Sequence, residues 1–288
     1  MPRANTVVLT ALAMLAFAGN SLLCRLALKG TTIDAASFTL ARVAAAALVL
    51  WVIVAARHQL VRTVVAQRLP PVEGNWISAL ALFCYAAAFS FAYVRLTAGT
   101  GALLLFGAVQ ATMTGYGLHA GEPMRAQQWF GLALALAGLV WLLLPGLATP
   151  PLPSSLLMIA AGIAWGVYSL RGRRAADPAS TTAGNFLRAV PMALALGAVM
   201  QAQRSLDGAG LAYALLSGAI TSGLGYVIWY AVVPRLKAAT AATVQLSVPV
   251  ITAAGGIALL GEALSLRLAL SAAAVLGGIA LVIAGKRG

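Results

Sequence analysis

From Leu236 to Gly261 the chain is apolar apart from Lys237 near the start and some Thr, Ser and Gln. A run of that length crosses a hydrocarbon core as a helix. Lipid offers no partner to a free N–H or C=O, so a lone segment can span only in a form that satisfies its own backbone. Pro249 falls near the middle of the run, with Gln245 and Ser247 just before it. An earlier stretch echoes it: Arg95–Glu122 aligns without a gap on Arg235–Glu262. Arg95 falls on Arg235, Leu96 on Leu236, Ala98 on Ala238, Thr100 on Thr240, Gly115 on Gly255, and Gly121-Glu122 on Gly261-Glu262. The match runs on to Gly138 and Gly278, and roughly a dozen identities in about 50 positions mark an internal repeat.

Composition generalises the constraint. Only 9% of the 288 residues are charged and 61% are hydrophobic, against about 25% charged in a soluble domain. The chain reads as an all-α integral membrane protein with ten transmembrane helices. The expected spans are Thr6–Leu28, Ala35–Ala56, Asn75–Val94, Ala98–Leu118, Ala126–Leu144, Ser154–Leu170, Thr181–Met200, Gly210–Val233, the opening stretch, and Leu264–Ala284. Ala16-Phe17-Ala18 imitates a signal-peptide cleavage site. However, Phe17–Arg25 echoes Trp165–Arg173, so the first segment belongs to the repeat and is kept as a span. A polar linker covers residues 57–74. A Pro-rich joint at 147–152 separates a first five-helix repeat, 1–146, from a second, 153–288.

The net charge of +13 does not point to nucleic acid, because the basic residues sit singly between apolar runs, where they set membrane orientation. With the N-terminus in the cytoplasm, Arg3, Arg57, Arg62, Arg68, Arg125, Arg171, Arg173, Arg174, Arg235, Lys237, Lys286 and Arg287 all lie inside. Lys29, Arg95, Arg204 and Arg267 lie outside, and Arg25, Arg42 and Arg188 fall within spans. Both termini are then cytoplasmic. Halves with an odd span count must face opposite ways, so the expected architecture is two inverted five-helix repeats around a central cavity.

None of the six acidic residues, Asp34, Glu73, Glu122, Asp177, Asp207 and Glu262, lies mid-span. His58 and His119 sit in a loop and at a span end. A proton-coupled carrier keeps an intramembrane relay, so a facilitator or substrate exchanger is expected over a proton antiporter. Glu122 and Glu262 are expected to cap helices five and ten. Cys24 and Cys84 have no metal or redox spacing and read as packing residues. No cofactor or metal is expected.

Several polar and aromatic residues fall at mid-depth. Pro249 deprives the Gln245 carbonyl of its helical partner. Two readings stay open: a substrate ammonium satisfies that carbonyl, or a nearby hydroxyl does at a packing kink. Gln110, Gln245 and Ser247 should face a wet cavity. Tyr85, Phe89 and Tyr93 share one face of span three, and Tyr226, Trp229 and Tyr230 one face of span eight; Trp165 and Tyr168 lie in span six. Tyr85, Phe89, Trp165 and Tyr168 are expected to stack on a substrate side chain. Tyr93, Tyr230, Trp51, Trp76, Trp129 and Trp141 are assigned to the interfacial belt. Asn20 either binds a substrate carboxylate or bridges helices. Arg42 and Arg188 either hold a carboxylate or snorkel to the interface, snorkelling being the cheaper. Gly218/Ser222, Ala274/Gly278 and Ala111/Gly115 are small-xxx-small pairs for close helix approach. Pro249, Gly255 and Gly256 are the expected hinge.

Two five-helix halves, a Gly-Glu pair after the fourth span of each, Trp165-Gly166 in the first span of the second half and Pro249 in span nine resemble the drug/metabolite transporter superfamily, EamA type. The NSLLCRLAL stretch from Asn20 is most similar to its YddG-type exporters of aromatic amino acids. Phe17 stands where many members have Trp, and Val109, the repeat partner of Pro249, is not Pro. The resemblance implies a monomeric exporter of amino acids or similar metabolites in a bacterial inner membrane, working by alternating access. A permease of the same fold for drugs or other metabolites, with proton antiport, is the alternative. A polytopic enzyme fits poorly, since the spans carry almost no acid/base groups. Epitope tags at both termini should be reached only from the cytoplasm, and one at residues 145–153 only from outside; cytoplasmic labelling of that joint refutes the topology.

Overall fold

The computed structural model describes residues 3–62, 73–121, 124–146, 149–172, 175–232, 235–236 and 244–284. Glu122, Arg68, Arg173, Arg174, Lys237, Ala238, Thr240, Lys286, Arg287 and most of the polar linker lie outside the described residues.

The described residues are helical almost throughout. The elements are α1 (Arg3–Gly30), α2 (Ala35–Arg62), α3 (Trp76–Tyr93), α4 (Ala98–His119), α5 (Ala126–Leu143), α6 (Leu152–Gly172) and α7 (Pro178–Val199). They continue with α8 (Gly208–Leu216), a π-helical segment (Ser217–Leu224), α9 (Gly225–Val232), α10 (Ser247–Leu260) and α11 (Leu266–Ala284). Helix α8, the π segment and α9 form one rod. Among the described residues, nine helical rods are long and apolar enough to cross a membrane, and α10 is a shorter apolar helix. The chain is a multi-pass membrane protein.

Boundaries follow local chemistry. The Asn75 side chain accepts from the Ser78 N–H to start α3, Thr97 from Thr100 to start α4, Asp177 from Ala179 and Ser180 to start α7, and Asp207 from Gly210 to start α8. Each satisfies N–H groups that a helix leaves orphaned. Of the ninth expected span, residues 237–243 lie outside the described residues; α10 begins at Ser247, after Leu246 in right-handed helical backbone (φ −65°, ψ −18°), and Pro249 sits in its first turn, where its missing N–H has no intrahelical use. The Ser247 hydroxyl donates to the Val244 carbonyl at 2.6 Å.

Packing places α3 against α6 and α7, α4 against α6 and α10, α2 against α7 and the α8 rod, α1 against the α8 rod, α9 and α10, and α5 against α11. Glycine permits the tightest of these approaches. A Cβ on Gly218 would lie 2.2 Å from the Arg42 carbonyl oxygen, and one on Gly278 2.4 Å from that of Gly131. Gly115 meets nothing within 4 Å, so the expected Ala111/Gly115 contact is not made there.

Polar ties bind the loops on two opposite faces. On one, Asp34 accepts from Ser205 N–H at 3.0 Å and Asp207 accepts from Thr32 N–H at 3.0 Å, cross-linking the α1–α2 and α7–α8 turns. Burial pushes the Asp34 carboxyl up, but hydrogen bonds from Ser37, Ser205 and Ala36 outweigh it and hold the group below its usual range. On the other face Arg57 pairs with Asp177, and Asn75 N–H donates to Asn185 at 3.0 Å. Trp51, Trp76, Trp129 and Trp141 are exposed on the outer surface, as the interfacial assignment expects.

The glycine geometry predicts opposite signs for two like substitutions. Gly218→Ala should lower thermal stability in detergent by about 1–3 kcal/mol through overpacking. Gly115→Ala, in open space within a helix, should raise it by about 0.5–1 kcal/mol. A thermal melt of each variant checks both.

Candidate functional site

A cavity of about 560 Å³ lies among α1, α3, α4, α6 and the α8–α9 rod. It reaches the α6–α7 turn at Gly172, Ala175 and Pro178, and touches Leu236 and Gln245 on that same side. Its floor is aromatic. Trp165 stacks on Tyr226 with centroids 5.3 Å apart and planes 18° apart, on Tyr168 at 5.5 Å, and tilts against Tyr85 at 4.9 Å. Phe17 makes edge contacts with Tyr226 and Trp229, both at 5.9 Å. Such rings offer flat faces to an apolar or aromatic body and their π clouds to a cation.

One polar chain runs through the floor. Asn20 Nδ2 donates to the Tyr85 hydroxyl at 3.2 Å, and Arg42 Nη2 donates to the same oxygen at 3.0 Å. Asn20 Oδ1 accepts from Ser217 at 2.7 Å, and the Thr221 hydroxyl, 3.3 Å away, gives its hydrogen to the Ser217 carbonyl at 2.7 Å. Ser217 and Thr221 belong to the π segment, whose wider turn brings them to face α1. Such segments recur at functional sites. Arg42 is fully buried, with its Cζ 4.8 Å from the Phe89 ring centroid. Snorkelling is therefore corrected for Arg42: its head points into the bundle. Arg188 instead reaches the bundle edge, donating to the carbonyls of Glu73 and Gly184, each at 3.0 Å.

Toward the α3–α4 turn lies a buried ion pair. Arg25 Nε pairs with Glu262 Oε1 at 2.9 Å, both residues buried, and Arg25 Nη1 donates to the carbonyls of Tyr93 at 2.8 Å and Val94 at 3.1 Å. Glu262 Oε2 accepts from Ala98 N–H at 2.7 Å, at the start of α4. The expectation that Glu262 caps helix ten is thus corrected: it caps α4 through space. Gly261, at φ 61°, turns the chain back to allow this, with Glu262 N–H donating to Gly256 at 3.0 Å. At helix five, the Gln128 side chain accepts from Arg125 N–H at 2.9 Å.

Among the predicted site residues, Asn20, Tyr85, Phe89, Gln110, Trp165 and Gln245 line the cavity. Tyr168 is buried behind Trp165, Pro249 is buried in α10, and the Ser247 hydroxyl is engaged with the backbone. Gly255 lies against Leu22 and Gly256 beneath the Glu262 carboxylate. Two belt assignments are corrected. Tyr93 is fully buried, donating to the Ala98 carbonyl at 3.3 Å in space left by Gly101. Tyr230 lines the cavity, with Tyr226 and Trp229. Their shared face on span eight was the available signal. Arg25 carried no such signal, since its partner is distant in sequence.

Residues 152–284 match the EamA-like transporter family. The chain is 55% identical over its whole length to an uncharacterized protein, PA1977, of Pseudomonas aeruginosa, covering 98% of that protein. Over 151 residues, 49% of each chain, it is 31% identical to the threonine/homoserine exporter RhtA of Salmonella typhimurium. A solved structure described only as a crystal structure of a protein superposes with a TM-score of 0.62 at 19% identity, covering 99% of this chain and all of that one; this likeness speaks to the fold alone.

The buried pair makes a direct prediction. In a Cys84→Ala background, Glu262→Gln should raise labelling of buried Cys24, next to Arg25, by an impermeant thiol reagent several-fold from the α1–α2 face. Labelling unchanged from the parent would remove the pair as a closure.

Proposed function

We propose that this chain, whose residues 152–284 match the EamA-like transporter family, exports amino acids, aromatic and other neutral ones, or similar small metabolites, by alternating access. The observation that carries this reading is a cavity of about 560 Å³, floored by stacked rings, which reaches the α6–α7 turn on one side; the buried Arg25–Glu262 pair is read as its closure on the other. Its size suits a small ligand. The half-length likeness to a protein described as a threonine/homoserine exporter supports amino acids as cargo.

The architecture in this proposal is ten spans in two inverted repeats, 1–146 and 153–288, with 147–152 as the joint. The packing supports it, because exchanging the halves maps the principal helix contacts onto one another. The α3–α6 contact exchanges with α1 against the α8–α9 rod, and α4–α6 with α1–α10; α2–α7, α5–α11 and α4–α10 each map onto themselves. Odd spans per half then require opposite orientation. The open face is the cytoplasmic one in this reading, in a bacterial inner membrane with both termini inside, the protein acting as a monomer. The hinge is assigned to the turn at Leu246, beside Pro249, with Gly255 letting α10 lie close on α1 at Leu22 and Gly256 on α4 at Ala98.

Transport is by facilitation or exchange. The five described carboxylates are engaged at caps and ion pairs away from the cavity, which leaves them poorly placed as a relay. Counterflow of labelled Phe, Trp, Thr and Met in proteoliposomes tests the function. Trp165→Ala should weaken exchange of the aromatic substrates by about tenfold with folded yield unchanged. Undiminished exchange of all four would take Trp165 out of the site.

A further inference from the structure

Arg42 is a fully buried guanidinium whose Nε and Nη1 have no hydrogen-bond partner. Its Nη2 alone is used, on the Tyr85 hydroxyl at 3.0 Å, and its flat face lies over the rings of Phe89 and Tyr85 at 4.8 and 5.2 Å. A buried charge is ordinarily paired, because leaving water without a counter-ion is costly. No described carboxylate serves here. Asp34, Asp177 and Asp207 cap helices, Glu73 accepts from Thr181, and Glu262 is taken by Arg25. Arg188, in the second half, is by contrast only partly buried, and its Nη1 donates to two carbonyls.

The neighbouring groups share this bias. The Tyr85 oxygen already accepts from Arg42 and Asn20, so its own hydrogen is left to give, and Tyr85 lines the cavity. Asn20 Oδ1 accepts from Ser217 at 2.7 Å, with the Thr221 hydroxyl oxygen beside it. Around Arg42, Tyr85 and Asn20 the polar capacity left over is therefore N–H and O–H, backed by a positive charge, while the Ser21 and Ser222 hydroxyls beside them can give or accept. The wall elsewhere is aromatic, and Gln110 and Gln245 add neutral amides. Among the described residues, no Asp or Glu lines the cavity to meet an ammonium group.

We propose that Asn20, Tyr85 and Arg42 form a carboxylate subsite, and that the ligand class is an organic monoanion with an aromatic or apolar body for which an α-amino group is dispensable. This rests on reading the cavity as the transport site. The carboxylate accepts from Tyr85 and Asn20, Arg42 supplies the counter-charge behind them, and the body lies on Trp165 and Tyr226.

The test uses the purified full-length chain in proteoliposomes at neutral pH, with protein-free liposomes as background. Counterflow of labelled L-phenylalanine is competed with 3-phenylpropanoate, which lacks the amine, and with 2-phenylethylamine, which lacks the carboxylate. The expected result is that 3-phenylpropanoate competes as well as unlabelled L-phenylalanine and the amine on the order of tenfold less well. An inside-positive potential should speed uptake of labelled 3-phenylpropanoate and leave that of L-phenylalanine unchanged, since only the former moves net charge past a fixed Arg42. Arg42→Lys should keep the preference and Arg42→Gln lose it; the comparison of competitors on the unmodified protein stands whether or not the Gln variant folds. Equal competition by the amine, or uptake of the carboxylate indifferent to potential, overturns the subsite and leaves the transport reading intact. Exchange of neither L-phenylalanine nor 3-phenylpropanoate overturns both.

Discussion

A polar group in hydrocarbon without a partner costs several kcal/mol, and nearly every feature of this chain answers to that cost. It makes the apolar runs helical and sends the carboxylates to helix caps on the two faces. It also gathers polar side chains that remain at mid-depth into one connected chain, Ser217 to Asn20 to Tyr85 to Arg42. A helix bundle in lipid gains little from apolar burial between rods, since the tails are as apolar as Leu. Close packing and shared hydrogen bonds must hold it instead. The 2.2 Å that a Gly218 Cβ would leave to the Arg42 carbonyl is the first device, and the Asn20 network is the second.

The same cost explains how the proposed closure is built. Arg25 and Glu262 pair at 2.9 Å with both residues buried, and each spends its remaining capacity on backbone. Arg25 takes the carbonyls where α3 ends, and Glu262 takes an N–H where α4 begins. A buried pair is stable only with such additional bonds, and separating its members leaves two unsatisfied charges. The closure is therefore two-state in character: either all the bonds hold or water must enter. Glu262 follows directly on α10, so the pair ties that helix to α1 and to the start of α4.

How much of this is legible in the sequence depends on the range of the interaction. Span positions come from apolar run length alone, so expected and observed helices agree to within a few residues, apart from Arg62 at the end of α2 and the start of α10. The cavity residues with helical periodicity, Tyr85 and Phe89, and those at mid-depth, Asn20, Gln110, Trp165 and Gln245, were also recoverable, because depth follows from position in a span. What failed was azimuth and partnership. Tyr93 lies at a span end like any belt tyrosine, and only the room left by Gly101 turns it inward. Glu262 follows the dipole rule on a helix distant in sequence. Arg42 and Arg188 occupy equivalent depths, yet one faces the bundle centre and the other its edge. Neither composition nor spacing encodes that rotation.

That last difference explains why a repeated sequence can serve an unrepeated ligand. Two halves with identical linings would build a symmetric chamber with like chemistry at both ends. Here the repeat is broken where it matters. The first half supplies Asn20, Arg42 and Tyr85, while the aligned position for Asn20 in the second is Tyr168, and for Tyr85 it is Gly225. The second half supplies Trp165, Tyr226, Trp229 and Tyr230 to the opposing wall. Symmetry survives in the principal helix contacts. It is lost in the side chains, and the proposed ligand, with one charged end and one flat end, suits such an unsymmetric lining. Scaffold and site thus obey different rules: the first needs its halves alike, and the second needs them different.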